Sequence, residues 1–293
     1  MNRRHALAGL AGLAAGAALI TPRPTHAAPD DKGPAAAATV ERIYVLYSGE
    51  ARVDDRSIYS PGVHVGEHVS LSCNAYLIKR SDGWTLWDTG MEDSLAETPE
   101  GRIIAHDIRG VARRTIAGQL KEIGIAPSDV GTLILSHAHF DHVGNCRLFP
   151  GARWVAQKAE RDAMFGENPD QFGFLPQLYD TLRSNPTEVV EGDHDVFGDG
   201  SVTLLSTPGH TPGHCCLMVR LPKSGAVILS GDVAHFEESF QRRYVPKFNS
   251  DPVQSKASMA KVEELMARER AKLWINHDAA QMASLPLAPQ WIE

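Results

Sequence analysis

The chain has 293 residues, of which 43% are hydrophobic and 22% are charged. This composition is typical of a globular protein with one large domain or two small ones. The formal net charge is −7 and no basic run occurs, so nothing indicates binding to nucleic acid or to an anionic membrane. The four cysteines are too few for a disulfide scaffold, and small buried residues are their default interpretation.

The N-terminus has the features of an export signal rather than of a folded element. Arg3 and Arg4 precede an Ala/Gly/Leu-rich stretch, residues 6–20, which is short for a membrane span. Ala27 provides the small residue that a signal peptidase prefers. The paired arginines resemble a twin-arginine signal, with a Sec signal as the alternative. We predict a signal peptide over residues 1–28 and an exported protein, either periplasmic or secreted.

The next stretch leads from a linker into the folded domain. Residues 29–39 are rich in Ala, Pro and Asp and predict a flexible linker. The folded domain is expected over residues 40–293. Its first strand is predicted at residues 42–48, where the side chains alternate. Residues 49–70 are polar and form either a lid over the functional site or an ordinary surface loop.

A β-hairpin is predicted around the turn Ser81-Asp82-Gly83, because apolar residues flank an Asp-Gly pair on both sides. The second strand ends at Asp88. This carboxylate is predicted either to brace a metal-binding histidine or to cap the turn. Further elements follow in order: a helix at residues 111–123, strands at 132–135 and 153–156, a helix at 157–164 and an aromatic-rich insertion at 165–184.

Four candidate metal ligands directly follow the predicted strand at residues 132–135. They are His137, His139, Asp141 and His142. In extended backbone the first three would point to one side, because side chains alternate with period two. His142 joins them only if the chain turns there. Such a cluster at the carboxyl end of a buried strand indicates a metal site at the edge of a sheet.

Three more candidates lie after predicted strands in the second half of the chain. A Gly- and Pro-rich loop, residues 207–214, presents His214, and Asp232 and His277 follow two later strands. The elements predicted there are strands at residues 187–190, 194–197, 201–206, 215–221, 226–229 and 273–277, and a helix at 252–272.

Seven nitrogen and oxygen ligands are too many for one tetrahedral zinc ion. They suit two divalent metal ions that share one carboxylate. Imidazole and carboxylate ligands favour zinc, with manganese, iron or cobalt as other candidates. Two such ions would bind a bridging water and lower its pKa, so that hydroxide forms near neutral pH.

The set of motifs resembles the metallo-β-lactamase superfamily. The matching stretches are Asp88-Thr89-Gly90, the cluster from His137 to His142, Thr207 to His214, Gly231-Asp232 and Asn276-His277-Asp278. The resemblance implies an α/β fold, the αββα sandwich, with a dinuclear site at one edge. It implies that one metal is held by His137, His139 and His214. The other is held by Asp141, His142 and His277. Asp232 bridges them, and His210 is then a loop or outer residue.

Within that superfamily the chain is similar to the N-acyl-homoserine lactonases. The resemblance implies that a metal-bridging hydroxide opens the lactone ring. In much of that family a tyrosine stands three residues after the bridging aspartate, and His235 occupies the position here. Histidine also donates hydrogen bonds and titrates near neutrality. The predicted catalytic residues are Asp141, Asp232 and His235.

Other functions remain open from the sequence. The same site suits hydrolysis of other lactones, esters, thioesters or organophosphates. A remote alternative is a di-iron redox protein on the same fold. The expected partner is a small lactone or ester. We expect no nucleic acid and no stable membrane insertion after signal cleavage, and a homodimer is left open.

Overall fold

Two β-sheets face each other in the computed structural model, which describes residues 39–105 and 107–293. The predicted signal peptide, and all of the predicted linker except Thr39, lie outside these residues. The strands of the first sheet are β1 (Val40–Val53), β2 (Val69–Arg80), β3 (Gly83–Trp87), β4 (Arg102–Ala105), β5 (Ile108–Val111), β6 (Val130–Ile134), β7 (Arg153–Gln157) and β8 (Thr187–Val190).

The first sheet changes from antiparallel to parallel pairing across its width. Its strand order is β4-β5-β1-β2-β3-β6-β7-β8. The strands from β4 to β3 pair antiparallel, and those from β3 to β8 pair parallel. The predicted Asp-Gly hairpin joins β2 to β3, with Arg80 opposite Gly83. Parallel pairing brings the carboxyl ends of β3 and β6 to the same edge, where Asp88 and His137 follow.

The second sheet has the order β13-β12-β11-β10-β9. Its strands are β9 (His194–Asp195), β10 (Val202–Ser206), β11 (Cys215–Leu221), β12 (Gly225–Leu229) and β13 (Lys272–Trp274). Neighbouring strands pair antiparallel except β12 and β13, which pair parallel. Asp232 and His277 therefore follow strands whose carboxyl ends lie side by side.

Helices cover the outer face of each sheet. The α-helices of the described residues are α1 (Ile116–Ile123), α2 (Phe140–Val143), α3 (Lys158–Met164), α4 (Glu237–Arg242), α5 (Pro252–Glu269) and α6 (Ala279–Met282). Ile116 and Leu120 of α1 pack on the first sheet, and Met259 and Val262 of α5 pack on the second. The layers are helix, sheet, sheet and helix, which is the αββα sandwich that the resemblance implied.

The alternation of side chains along β11 shows why this strand belongs between two layers. Cys215, Leu217 and Val219 enter the core between the sheets, whereas Cys216 and Met218 pack under the outer helices. The two adjacent cysteines thus point to opposite faces. All four cysteines are buried and none forms a disulfide.

The predicted helix at residues 111–123 begins later than its apolar pattern indicated. Val111 belongs to β5, where it pairs with Glu50 of β1. The helix begins after Thr115, whose hydroxyl accepts a hydrogen bond from the backbone N–H of Gly118. Val111 therefore fits the helical spacing but belongs to a strand. The N-cap residue Thr115 marks where the helix begins.

The polar stretch between β1 and β2 is shorter than predicted, because β1 continues to Val53. Residues 54–68, which we call the strap, contain a short 3-10 helix, Arg56–Ile58. Asp55 stabilises this turn by accepting hydrogen bonds from the backbone N–H groups of Ser57 and Gly66. Within the part of the chain described, no helix is both long and apolar enough to span a lipid bilayer.

Candidate metal centre

The loop after β6 brings its ligands together by forming a short helix. His137 extends the strand direction, and α2 then begins at Phe140 and turns the chain back. His142 thereby joins His137, as the predicted turn required. Gly144 does not make the turn by a left-handed conformation. A glycine is needed there because no side chain fits: a Cβ would lie 2.3 Å from the backbone nitrogen of Glu92.

One carboxylate lies at the middle of the cluster. The two oxygens of Asp232, which follows β12, are surrounded by imidazole nitrogens. Oδ1 lies 3.1 Å from His142 Nε2 and 2.9 Å from His277 Nε2. Oδ2 lies 3.3 Å from His210 Nε2, 3.1 Å from His235 Nε2 and 3.7 Å from His137 Nε2. Asp232 thus stands between two groups of histidines, where a bridging ligand would be.

The first group contains His210 rather than His214. Its ligand atoms come from His137, His139, His210 and Asp232. His214 lies next to the group but is turned away from its centre. Its Nδ1 lies 2.9 Å from the carbonyl oxygen of Thr207, and its Nε2 accepts a hydrogen bond from the backbone N–H of Asp232. The prediction that made His214 the ligand and His210 an outer residue is therefore reversed by the geometry.

The loop of residues 207–214 explains this exchange. Its Pro208-Gly209 step turns the chain so that His210 points inward, with Gly209 at a φ of 131°. His214 directly precedes β11 and holds the loops after β10 and β12 together. A Gly-Pro-rich loop with two histidines does not reveal by its spacing which of them reaches the centre.

The outer nitrogen of most of these imidazoles has a hydrogen-bond acceptor. His142 Nδ1 lies 2.8 Å from Asp88 Oδ2, and His277 Nδ1 lies 2.8 Å from the carbonyl oxygen of Ser72. The corresponding acceptors are the Phe172 carbonyl oxygen for His139 Nε2 and Asn249 Oδ1 for His210 Nδ1, both at 2.8 Å. Each outer nitrogen therefore carries the proton, and each inner nitrogen presents a lone pair.

These lone pairs converge in the first group. His139 Nδ1 lies 2.9 Å from both His137 Nε2 and His210 Nε2. Asp232 Oδ1 has two imidazole nitrogens within reach, yet it accepts no hydrogen bond. Lone pairs so close together repel each other unless a cation lies among them. The donor set fits a metal ion, and imidazole with carboxylate suits zinc and its neighbours in the first transition row.

The second group combines two overlapping sets that share His277: His142 with Asp232, and Asp141 with Cys73. Burial lowers the pKa of His142, but nearby carboxylates, above all that of Asp232, outweigh it and raise the value to about 10. His277 is affected in the same way, and its pKa is raised well above the ordinary histidine value. The carboxylates therefore favour a positive charge at this place, which a divalent cation can supply.

In the first group burial dominates. It lowers the pKa of His137 and of His210 well below the ordinary histidine value, and it lowers that of His139. These imidazoles are neutral at physiological pH, which is the form that binds metal. The two groups thus differ in charge, and Asp232 lies between them.

Asp88 braces the loop after β6. This favours its predicted role of bracing a metal-binding histidine over that of capping the turn. Its carboxylate accepts hydrogen bonds from the backbone N–H of Ser136 at 2.7 Å and from the Ser136 hydroxyl at 2.9 Å. The same carboxylate faces His142 Nδ1. Because Asp88 is buried, these contacts fix both the orientation and the tautomer of His142.

Glu160 is a positioning residue that the sequence did not reveal. It lies on α3, is 4% exposed, and joins two ligand-bearing loops. One oxygen accepts the backbone N–H of Ala138, and the other accepts the Thr211 hydroxyl and the backbone N–H of Gly213. Burial raises the pKa of Glu160 to about 7. A charged residue in an amphipathic helix gives no signal of such a role before the loops are placed.

Two glycines allow neighbouring segments to approach the backbone of the ligand-bearing loops closely. A Cβ at Gly231 would lie 2.6 Å from His214 Nε2 and 2.7 Å from Ser136 Cβ. Gly231 also has a φ of 49°, which disfavours a side chain. A Cβ at Gly213 would lie 2.1 Å from the backbone nitrogen of Glu160. Neither position has room for any other residue.

A narrow cavity opens on the centre. Its walls include His235, Tyr59, Phe140 and Phe248, together with Asp141. Its volume is about 30 Å³. Part of the predicted aromatic insertion reaches the centre, because the Phe174 ring lies 5.7 Å from that of His139. Phe165 and Tyr179 instead pack in the core.

Cys73 also lies beside the second group, although no sulfur was expected there. Its Sγ is 3.5 Å from Asp141 Oδ2 and 3.9 Å from His277 Nδ1. Burial raises the pKa of this thiol to about 12. Cys73 is therefore a neutral thiol that donates a hydrogen bond to Asp141. In the sequence, Cys73 could not be distinguished from a small buried core residue.

Comparison with known proteins agrees with this fold and centre. Residues 69–274 match the model of the metallo-beta-lactamase superfamily. The chain belongs to that superfamily.

Relatives of similar sequence indicate which branch of the superfamily the chain resembles. The chain is 30% identical to the N-acyl homoserine lactonase AiiA of Bacillus thuringiensis subsp. kurstaki, over 87% of this chain and all of that protein. It is 30% identical to the N-acyl homoserine lactonase AttM of Azorhizobium caulinodans, over 86% of this chain and 98% of that protein. Like these relatives, it is a metal-dependent hydrolase.

Solved structures give the same result. One is an N-acyl homoserine lactone hydrolase with its product, N-hexanoyl-L-homoserine, bound at the catalytic metal centre. It superposes with a TM-score of 0.76 at 28% identity and covers 87% of this chain and 100% of that chain.

Metal content can test the assignment of His210, rather than His214, as the ligand of the first group. We expect His210→Ala to lose the ion of the first group, because His210 Nε2 faces its centre. We expect His214→Ala to retain both ions with affinity weakened about 10–100-fold, as for loss of an outer partner. Both variants would be loaded, dialysed and measured by plasma mass spectrometry. Loss of one ion in His214→Ala, with full retention in His210→Ala, would restore the original assignment.

Glu160 gives a second prediction. Glu160→Ala removes the carboxylate that joins the loops of His139 and His210, so we expect metal affinity to fall about 10–100-fold. Titration with a chromogenic chelator would measure it. Glu264→Ala, an exposed position on α5, is the matched control and should leave the affinity unchanged. Equal affinities in the two variants would contradict the positioning role.

Proposed function

We propose that this protein opens the lactone ring of N-acyl-homoserine lactones by hydrolysis. The observation that carries the proposal is the two-group cluster of imidazoles around Asp232. Support comes from relatives that carry the name N-acyl homoserine lactonase and are covered over their whole length. The cavity over the cluster has mostly apolar and aromatic walls, which suit an acyl amide with an aliphatic tail.

We infer that the chain holds two divalent ions, with zinc the first candidate because of its imidazole and carboxylate ligands. The residues that would hold the first ion are His137, His139 and His210. Those that would hold the second are Asp141, His142 and His277, with Asp232 between the two. When bound, such ions polarise a carbonyl group and lower the pKa of water, so that a nucleophile forms near neutral pH.

Asp232 and His235 are placed to handle the proton that the attacking water releases. His235 Nε2 lies 3.1 Å from Asp232 Oδ2. Burial lowers the pKa of His235, so its imidazole is neutral and can accept a proton. A proton that reaches the Asp232 carboxylate can therefore pass to His235. Asp141 also lines the cavity and accepts a hydrogen bond from the Cys73 thiol.

The direct test is ring opening by the purified mature protein. We expect hydrolysis of a short-chain and of a long-chain N-acyl-homoserine lactone, measured as proton release, with about two metals per chain in the same sample. A chelator should abolish the activity, and zinc should restore it. Two bound metals without ring opening would refute the lactone proposal. Esters, thioesters and phosphotriesters would then be assayed on the same preparation.

We also propose that the protein is exported and that residues 1–28 are removed. The support is the sequence of this segment alone, with its paired arginines and apolar stretch. We expect N-terminal sequencing of protein from fractionated cells to give a mature chain that begins near Pro29, outside the cytoplasm. An Arg3→Lys, Arg4→Lys double variant would remain inside if export uses the twin-arginine route. A full-length chain in the cytoplasmic fraction would contradict export.

A further inference from the structure

We propose that Tyr59 is a further catalytic residue, whose phenolic hydroxyl donates a hydrogen bond to the leaving oxygen of the substrate ester. The inference rests on the proposed function, since it assigns a role in the same hydrolysis. Tyr59 lies on the strap, far in sequence from every candidate ligand, and it has no place in the metal cluster.

The strap holds Tyr59 in one position over the centre. Arg56 pairs with Glu238 of α4 at 3.3 Å, and its guanidinium lies 4.4 Å from the Phe236 ring. The Ile58 carbonyl oxygen accepts the backbone N–H of Lys247 at 2.9 Å. The strap is thus fixed to the segment that follows Asp232. A group held in this way loses little conformational freedom when a substrate binds.

The ring of Tyr59 contacts three aromatic side chains. It lies 4.5 Å from the His235 ring, 6.0 Å from that of Phe236 and 5.6 Å from that of Phe248. Only 3% of the residue is exposed. The His235 ring in turn stacks on His277 at 5.1 Å. Tyr59 is therefore connected through the His235 ring to a candidate ligand.

The hydroxyl of Tyr59 is available to a substrate. Among the described residues it has no hydrogen-bond partner, although Tyr59 lines the cavity together with Asp141 and Asp232. A tyrosine hydroxyl keeps its proton at neutral pH. The group is thus a phenol, which can donate.

His235 is not free for the same task. Its Nε2 already faces Asp232 Oδ2 at 3.1 Å, and its ring is held between Tyr59 and His277. A donor to the leaving oxygen must therefore come from another residue on the cavity wall. Phe140 and Phe248 have no polar group. Of these wall residues, Tyr59 alone presents an uncommitted hydroxyl.

The chemistry needs such a donor because an aliphatic alkoxide leaves poorly. The water oxygen forms a bond to the carbonyl carbon, and the bond between that carbon and the ring oxygen breaks. The electron pair stays on the ring oxygen, which becomes an alcohol by taking one of the protons that the water releases. Tyr59 keeps its own proton and stabilises the negative charge that develops on this oxygen.

The experiment compares Tyr59→Phe with Tyr76→Phe on substrates that differ in leaving group. Tyr76 is an equally buried tyrosine whose hydroxyl donates to Met282 Sδ in the core between the sheets. On an N-acyl-homoserine lactone we expect Tyr59→Phe to lower kcat about 10²-fold, as for loss of one donor to a developing oxyanion. KM should change little. On a p-nitrophenyl ester, whose leaving group needs no donor, kcat should be unchanged.

A binding measurement separates this role from a structural one. The ring-opened product, an N-acyl-homoserine, carries the former leaving oxygen as a hydroxyl, and the matching N-acyl-2-aminobutyrate lacks it. By calorimetry with metal-loaded protein, Tyr59→Phe should weaken binding of the first roughly 2–10-fold, the range for one hydrogen bond, and leave the second unchanged. Equal loss for both ligands would overturn the proposal, as would equal loss of kcat on both classes of substrate.

Failure of the proposed function would look different. A wild-type protein that opens no lactone but hydrolyses esters would refute the lactone assignment. The same variants would then be compared on alkyl and p-nitrophenyl esters, where selective loss on the alkyl esters supports the role of Tyr59. Absence of any ester or lactone hydrolysis by the metal-loaded wild type would overturn both proposals.

Discussion

The structure depends on the cost of burying the Asp232 carboxylate among imidazoles. Five histidines approach its two oxygens, and the residue is 4% exposed. Transfer of a carboxylate out of water is expensive unless positive charge accompanies it. The carboxylates raise the pKa of His142 and of His277 and so favour positive charge there, while burial keeps His137 and His210 neutral. Only cations that bind neutral imidazole and carboxylate together satisfy both groups.

The surrounding fold keeps those lone pairs from turning away from one another. Parallel strands bring several loops to one edge, and acceptors behind the rings then fix each tautomer. Asp88 does this for His142, and Glu160 joins the backbone of the loops that carry His139 and His210. Neither carboxylate lies at the centre, yet each determines where ligand atoms point. The sandwich therefore serves as a rigid support for a local arrangement that would otherwise relax.

The sequence allowed prediction of those features that depend on a short stretch of neighbouring residues. β11 was predicted with its observed bounds, and the cluster at His137 lies after a buried strand as expected. What failed depends on contacts between distant segments. Val111 fitted a helical stripe but pairs with β1, and two histidines in one loop could be distinguished only after its backbone was placed. Glu160 and Tyr59 were not identified because a single charged or aromatic residue has many ordinary uses.

The close contacts at Gly231 and Gly213 have a consequence for how this protein can diversify. Because these positions admit no side chain, mutational drift cannot reshape the floor of the site without displacing His214 or α3. The two glycines of the strap, Gly62 and Gly66, have no atom within 4 Å of an added Cβ, and the strap forms part of the wall rather than the floor. Descendants of this chain would therefore acquire new substrate ranges by varying the walls, while the metal-binding floor is inherited almost unchanged.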